Sequence, residues 1–288
     1  MSAVYKRELR SYFNSMIGYI YVAVVTLVIG IYFMIVNLHL GHPYFAAALT
    51  GTIMIFAFAV PILTMKSIAE ERRTKSDQML LTYPVSVTGV VLGKFFAMLT
   101  VYAIPMLIAC LCPIVIAKGG NGSFLIDYST IILFMFMGML FISVGMYISS
   151  LTESQVIAAV GAMAVLLILL LLENIVSFIP DTPKASAIGF AVIFLLFALA
   201  FYKATKNVIA SAVIFIAGAG ASLIFALSKV SWFEGSIKSV LNALSINTVV
   251  TNFTSYYVFD AKGILQLAVF AALFVFLTIQ SVRKRRYM

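Results

Sequence analysis

Residues 66–86 read KSIAEERRTKSDQMLLTYPVS, the longest polar interruption between two hydrophobic runs of the chain. Four of the nineteen basic residues fall here, Lys66, Arg72, Arg73 and Lys75. Glu71 lies one helical turn before Lys75, and Glu70 stands in the same relation to Arg73, so in a helix each pair meets with the acid ahead of the base, the favourable order. Pro84 ends such a helix, because it lacks an N–H and restricts the residue before it. Ile68 at one end and Met79, Leu80 and Leu81 at the other are apolar around a charged middle. That pattern suits a short helix lying across a membrane surface or seated in a partner's groove; a solvated loop helix has the same composition.

What flanks this segment sets the fold class. Hydrophobic residues make up 63% of the chain and charged residues 10%, with a mean hydropathy of +1.11, whereas about a quarter of the residues of a soluble domain are charged. A helix needs about twenty apolar residues to cross the hydrocarbon core. By that criterion there are about eight runs: 16–38, 44–65, 88–116, 128–149, 156–179, 187–202, 208–227 and 264–282. The expectation is an all-α polytopic membrane bundle of about eight transmembrane helices.

Lysines and arginines concentrate in cytoplasmic loops. With the amino terminus inside and eight crossings, fourteen basic residues face the cytoplasm and five face out, with every arginine inside. Both termini are then cytoplasmic, and residues 66–86 lie on the inner face. Topology and attraction to anionic lipid account for the net charge of +9, which leaves nothing for a nucleic-acid partner to explain.

Ahead of the first run, residues 3–15 place Tyr5, Leu9, Tyr12 and Phe13 at helical spacing among Lys6, Arg7, Glu8 and Arg10. This predicts an amphipathic helix at the membrane interface. The outer segment 229–262 repeats the device, with Trp232, Phe233, Ile237, Val240, Leu241 and Leu244 mostly at steps of three and four. Polar groups inside spans are candidate working residues, because lipid makes them costly. Glu173, late in the fifth run, is a candidate for a substrate path or for solvation by outer headgroups. Lys94, one or two turns into the third run, can snorkel to the inner surface. Pro61, Pro105 and Pro113 allow kinks, and Gly218 and Gly220 offer a small-residue surface. His39 and His42 share no helix face past Gly41 and Pro43, and the Cys110/Cys112 pair does not share one either. No metal site and no catalytic residue is assigned.

The run AEERRTKSDQMLLTYPVSVTGVVLGKFFA, together with KREL and SYFNS near the amino terminus, resembles the permease subunits of ABC-2 type exporters, in particular the branch named after gliding-motility and multicopper-enzyme-maturation transporters. That family carries E-E-R-x-x-G-T-x-E-x-L-L-x-S-P-[VI]-S between its second and third spans. Glu70, Glu71, Arg72, Leu80, Leu81, Pro84, Val85 and Ser86 match it. Lys75 stands where glycine is usual, Gln78 where the second acid is usual, and Tyr83 where serine is common. The resemblance implies a single permease domain over 1–288 in the bacterial plasma membrane, built on a six-helix core with an inserted transmembrane hairpin over 187–227, and with a coupling helix over 66–86. Glu70, Glu71, Arg72, Arg73, Leu80, Leu81 and Pro84 would contact an ATPase there, helped by the amino-terminal helix. It also implies a second permease chain, either another copy or a related subunit. The sequence has no G-x-x-x-x-G-K-[ST], the loop that cradles nucleotide phosphates. The expectation is therefore that this chain binds no cofactor and that ATP and Mg2+ belong to the partner subunit.

Two other classes of function compete. A secondary transporter usually shows repeats and broken or charged midplane helices, whereas the central runs here are almost free of charge. An intramembrane enzyme needs convergent His, Asp, Glu or Ser groups at depth, and Glu173 and Asp127 lie apart from any histidine.

Overall fold

Lipid offers the backbone no hydrogen-bond partners, so an apolar run must satisfy its own N–H and C=O groups, and a helix does so within one segment. The computed structural model describes residues 1–75, 86–119, 122–205, 208–227 and 235–286, and among them it contains helices and no strand. Helix α1 spans Ser2–Asn14 and α2 spans Met16–Tyr32, continuing as a π-helix over Phe33–His39. Then come α3 (Phe45–Thr64), α4 (Ala69–Arg73), α5 (Val87–Ala109), α6 (Cys112–Lys118), α7 (Phe124–Leu151) and α8 (Gln155–Ser177). The chain continues through α9 (Pro183–Thr205), α10 (Val208–Leu227), α11 (Ser236–Leu244), α12 (Ile246–Thr254) and α13 (Ala261–Arg286).

Among the described residues six helical stretches are long and apolar enough to cross a membrane: Met16–His39, Phe45–Arg73, Val87–Lys118, Phe124–Leu151, Gln155–Ser177 and Ala261–Lys284. The sequence led us to expect eight. The other two expected spans are the hairpin helices α9, of 23 residues, and α10, of 20; among the described residues their apolar stretches are Pro183–Leu199 and Ala210–Gly220. The third run also breaks at Cys110–Leu111, between α5 and α6. Pro113, in the first turn of α6, has no N–H to continue the α5 ladder but suits a helix start.

The chain forms two compact units, residues 1–168 with 249–288 and residues 169–248. In the first, α7 is the central helix, in contact with α3, α5 and α13. Phe56, Tyr102 and Phe134 meet there, with the Phe56 ring 5.6 Å from Tyr102 and 5.9 Å from Phe134, and the Tyr102 hydroxyl donates to the Phe134 carbonyl at 2.8 Å. Gly138 leaves room for the Tyr102 ring, since a Cβ would collide with it. Ser143, Thr130 and Ser150 donate to carbonyls one turn back, which lets hydroxyls sit in an apolar interior. Asp260 caps α13, accepting from Gly263 N–H at 2.9 Å and from Asn252 Nδ2 at 2.8 Å. The Gly263 N–H foremost, with Asn252, holds this carboxyl below its ordinary range.

In the second unit α9 and α10 pair along their length. Gly218 fits beneath the Phe194 ring, whereas Gly220 faces open space, so one glycine of the expected small-residue surface makes the close contact. The expected outer amphipathic helix is present as α11. Ile237 is buried against Gly189 of α9, while Val240 and Leu244 stay exposed. Trp232 and Phe233 lie outside the described residues.

Helix α4 is only five residues long, and Lys75 follows it at a φ of +55°. A left-handed residue with a Cβ costs roughly 1–2 kcal/mol, which gives a physical reason for glycine at this place in the resembled motif. Lys75→Gly is expected to stabilise the purified chain by about 0.5–1 kcal/mol, read as a higher thermal midpoint. A lower midpoint would mean that the Lys75 side chain contributes more than its backbone costs.

Candidate functional site

The polar segment after α3 is fastened at the end of the bundle where α3 and α7 finish and α5 begins. Helix α4 starts beneath Ser149 of α7. The Ser149 hydroxyl accepts from the N–H groups of Ile68 (3.2 Å) and Ala69 (3.1 Å) and donates to the Met65 carbonyl at 3.2 Å. A helix start leaves its first N–H groups without intrahelical partners, and a hydroxyl from a neighbouring span satisfies two of them.

On the other side α4 meets Lys94 of α5. The Lys94 ammonium donates to Glu71 Oε1 at 2.8 Å and to the Ser67 carbonyl at 2.8 Å, and Glu8 Oε1 of α1 lies 3.2 Å away. Arg7 joins the group, 2.6 Å from Glu8 and 3.2 Å from Glu71. Two acids and two bases thus form a neutral cluster around a lysine that is only 3% exposed. Burying a lone charge is prohibitive, whereas a paired and fully hydrogen-bonded one is tolerated. Burial pulls the Arg7 guanidinium down, but Glu8 and Glu71 more than offset it, so it ends above its ordinary value.

Helix α1 packs against α2 and α5. Tyr12 is buried and donates its hydroxyl to the Leu63 carbonyl at 3.2 Å, and the Tyr5 hydroxyl lies 3.0 Å from Thr100 Oγ1 of α5. Gly93 of α5 makes room for Val4, which a Cβ would meet at 3.1 Å. Burial, with Glu8, Glu70 and Glu71 nearby, drives the Tyr12 phenol well above its usual range, so it stays a neutral donor. Lys6, Arg7 and Arg10 occupy the exposed face. A cavity of about 450 Å3 between α1 and α4 is lined by Arg7, Glu8, Lys66, Glu70, Glu71 and Lys94, among others.

Of the residues expected to touch an ATPase, Glu70 and Glu71 are half-buried, Arg72 is buried and Arg73 is exposed. Leu80, Leu81 and Pro84 lie outside the described residues. The expected pairing of Glu71 with Lys75 does not form: α4 ends at Arg73 and Lys75 turns left-handed, so Glu71 turns instead to Lys94 and Arg7. Lys94 does not snorkel. Its stem points inward to three acceptors, a role that local spacing could not reveal because Glu71 is 23 residues away. Glu173 of α8 is half-buried and accepts from Asn247 Nδ2 of α12 at 2.6 Å. Ser149 was not foreseen, since a serine near the end of a span carries no distinguishing signal.

A family model described as ABC-2 family transporter protein matches residues 3–262. No curated protein and no solved structure matches the chain. The matched range takes in α1, the charged cluster, residues 66–86 and the hairpin.

Proposed function

The chain belongs to the ABC-2 transporter family, and from that membership we propose that it is the permease subunit of a bacterial plasma-membrane exporter, driven by a separate cytoplasmic ATPase that docks on residues 66–86. The observation that best supports this reading is the anchoring of α4: the segment that would receive the ATPase is tied to α7 through Ser149 and to α5 and α1 through Lys94, Glu71 and Glu8. A push there is passed to spans instead of being lost in a loop. ATP and Mg2+ bind the partner, and this chain supplies the path and the lever. Two ATPase subunits sandwich nucleotide in such pumps, so two permease chains assemble, as a homodimer or with a related subunit. The motif of residues 70–86 favours the gliding-motility and multicopper-enzyme-maturation branch, and Glu173 is the candidate pathway residue.

Affinity purification of the tagged chain from its native membrane, with ATP and vanadate present, is the test. It is expected to bring down an ABC ATPase with a phosphate-binding loop, in a particle holding two permease chains and two ATPases. A chain that purifies without any such ATPase overturns the reading.

The charge distribution supports a topology with both termini inside and a hairpin that crosses twice, with Lys203 and Lys206 on the inner side. With Cys110 and Cys112 replaced, a cysteine at Thr205 is expected to resist an impermeant thiol reagent added to intact cells, whereas one at Ser236 reacts. Labelling at Thr205 reduces the topology to six crossings.

A further inference from the structure

The geometry points to Lys94 as a positioning residue that joins α1, α4 and the start of α5 into one lever. This rests on the reading that an ATPase pushes on residues 66–86. The ammonium has three N–H donors, and it faces three acceptors on three separate segments: the Ser67 carbonyl in the turn after α3, Glu71 of α4 and Glu8 of α1. Each of those segments precedes the third span in the chain, and none is covalently close to it. Lys94 ties all three to α5 through one ammonium. Immediately beyond it α5 enters the core, with Phe95, Met98, Val101 and Tyr102 buried. A displacement of α4 therefore reaches the third span at its first turns and travels along a packed helix.

The second anchor of α4 differs in kind. Ser149 holds the helix start to α7 through neutral hydrogen bonds, which hold one end of α4 as a pivot. The Lys94 cluster holds Glu71, within α4 itself, and at the same time α1 through Glu8. Charged groups held out of water interact far more strongly than exposed ones, and Lys94 is 3% exposed. Without its charge, α4 can rotate about Ser149 and leave α5 behind. The lysine that looked like a membrane-edge snorkel is thus the connection between the docking segment and the span.

The test uses spin-labelled chain in nanodiscs with Cys110 and Cys112 replaced. One label pair, at Lys6 and Gln155, reads whether α1 is held; the other, at Leu40 and Leu107, reads movement of the far end of α5. In the isolated chain, Lys94→Met is expected to broaden the Lys6–Gln155 distance distribution, and Lys94→Arg to keep it narrow. In the complex with the co-purified ATPase, trapping with ATP and vanadate is expected to shift the Leu40–Leu107 distance in wild type and in Lys94→Arg. In Lys94→Met the ATPase stays bound and the shift is lost. Leu133→Ala, a cavity in α7 remote from the cluster, controls for lost stability and is expected to keep the shift. A Lys94→Met protein with an unbroadened distribution, or with the wild-type shift, overturns the inference. If wild type retains no ATPase, the functional reading fails instead, and the isolated-chain distances still decide whether Lys94 is the joint.

Discussion

Reversing Glu71 to lysine is expected to unfold the chain several degrees earlier, whereas reversing its neighbour Glu70 leaves the unfolding midpoint nearly unchanged. Glu71 accepts from Lys94 at 2.8 Å and lies 3.2 Å from Arg7. Removing one member of a buried pair costs about 3–5 kcal/mol. Glu71 is 21% exposed and Lys94 only 3%, so the loss falls toward the lower end, and the new positive charge beside two others adds to it. No ion pair among the described residues involves Glu70, so its reversal costs the fold about 0–1 kcal/mol. If Glu70 contacts the ATPase, the same change weakens association by about 2–5 kcal/mol. Thermal unfolding and ATPase retention therefore separate the two acids: Glu71→Lys fails in the first measurement, Glu70→Lys in the second only. Equal melting of both variants overturns the assignment of Glu71 to the internal cluster, and full ATPase retention by Glu70→Lys removes Glu70 from the docking surface.

The two adjacent glutamates show where sequence reasoning reaches and where it stops. Composition and run length are summed quantities, so the membrane bundle, its helices and the polar segment after the second span were legible without coordinates. Local periodicity also located α1 and α11. It could not tell which of two neighbouring acids faces inward, because the partner that decides is Lys94, on the next span, and local spacing rules see only one turn ahead. The short length of α4 was illegible for a related reason: a helix continues or stops on the backbone of one residue, and Lys75 takes a conformation that lysine seldom adopts. The break at Cys110–Leu111 was half-legible, since Pro113 was noted as a kink but not as the start of a new helix. The hairpin marks the other limit. Apolar composition marks 187–202 and 208–227, and α9 and α10 form there, but composition carries no signal for what the pair does.

Replacing Asp127 by alanine is expected to be the other costly change, at the opposite end of the same helices. The sequence marks Asp127 only as an acid near the start of the fourth apolar run. In the fold it is fully buried, and its Oδ1 accepts from the Phe45 N–H at 2.8 Å. Phe45 is the first residue of α3, and the residue before it, Tyr44, has no side-chain cap of its own. The cap for α3 is therefore supplied by α7, a helix 82 residues further on. On the far side of the same peptide group, Asn37 Nδ2 donates to the Tyr44 carbonyl at 2.9 Å, so the 44–45 peptide is held through both its N–H and its C=O. Loss of a helix cap costs about 0.5–2 kcal/mol, and a buried N–H left without an acceptor costs about 1–3 kcal/mol. These describe one lost contact rather than two, so Asp127→Ala is expected to destabilise the chain by about 2 kcal/mol. Asp127→Asn, which keeps a carbonyl oxygen for Phe45, is expected to lose less than half of that. Hydrogen exchange provides the local measurement: the first-turn amides of α3 exchange faster in Asp127→Ala, while amides in the middle of α7 keep their protection. Unchanged exchange at Phe45 would show that the start of α3 is held by packing alone, and that the carboxyl of Asp127 serves some other end.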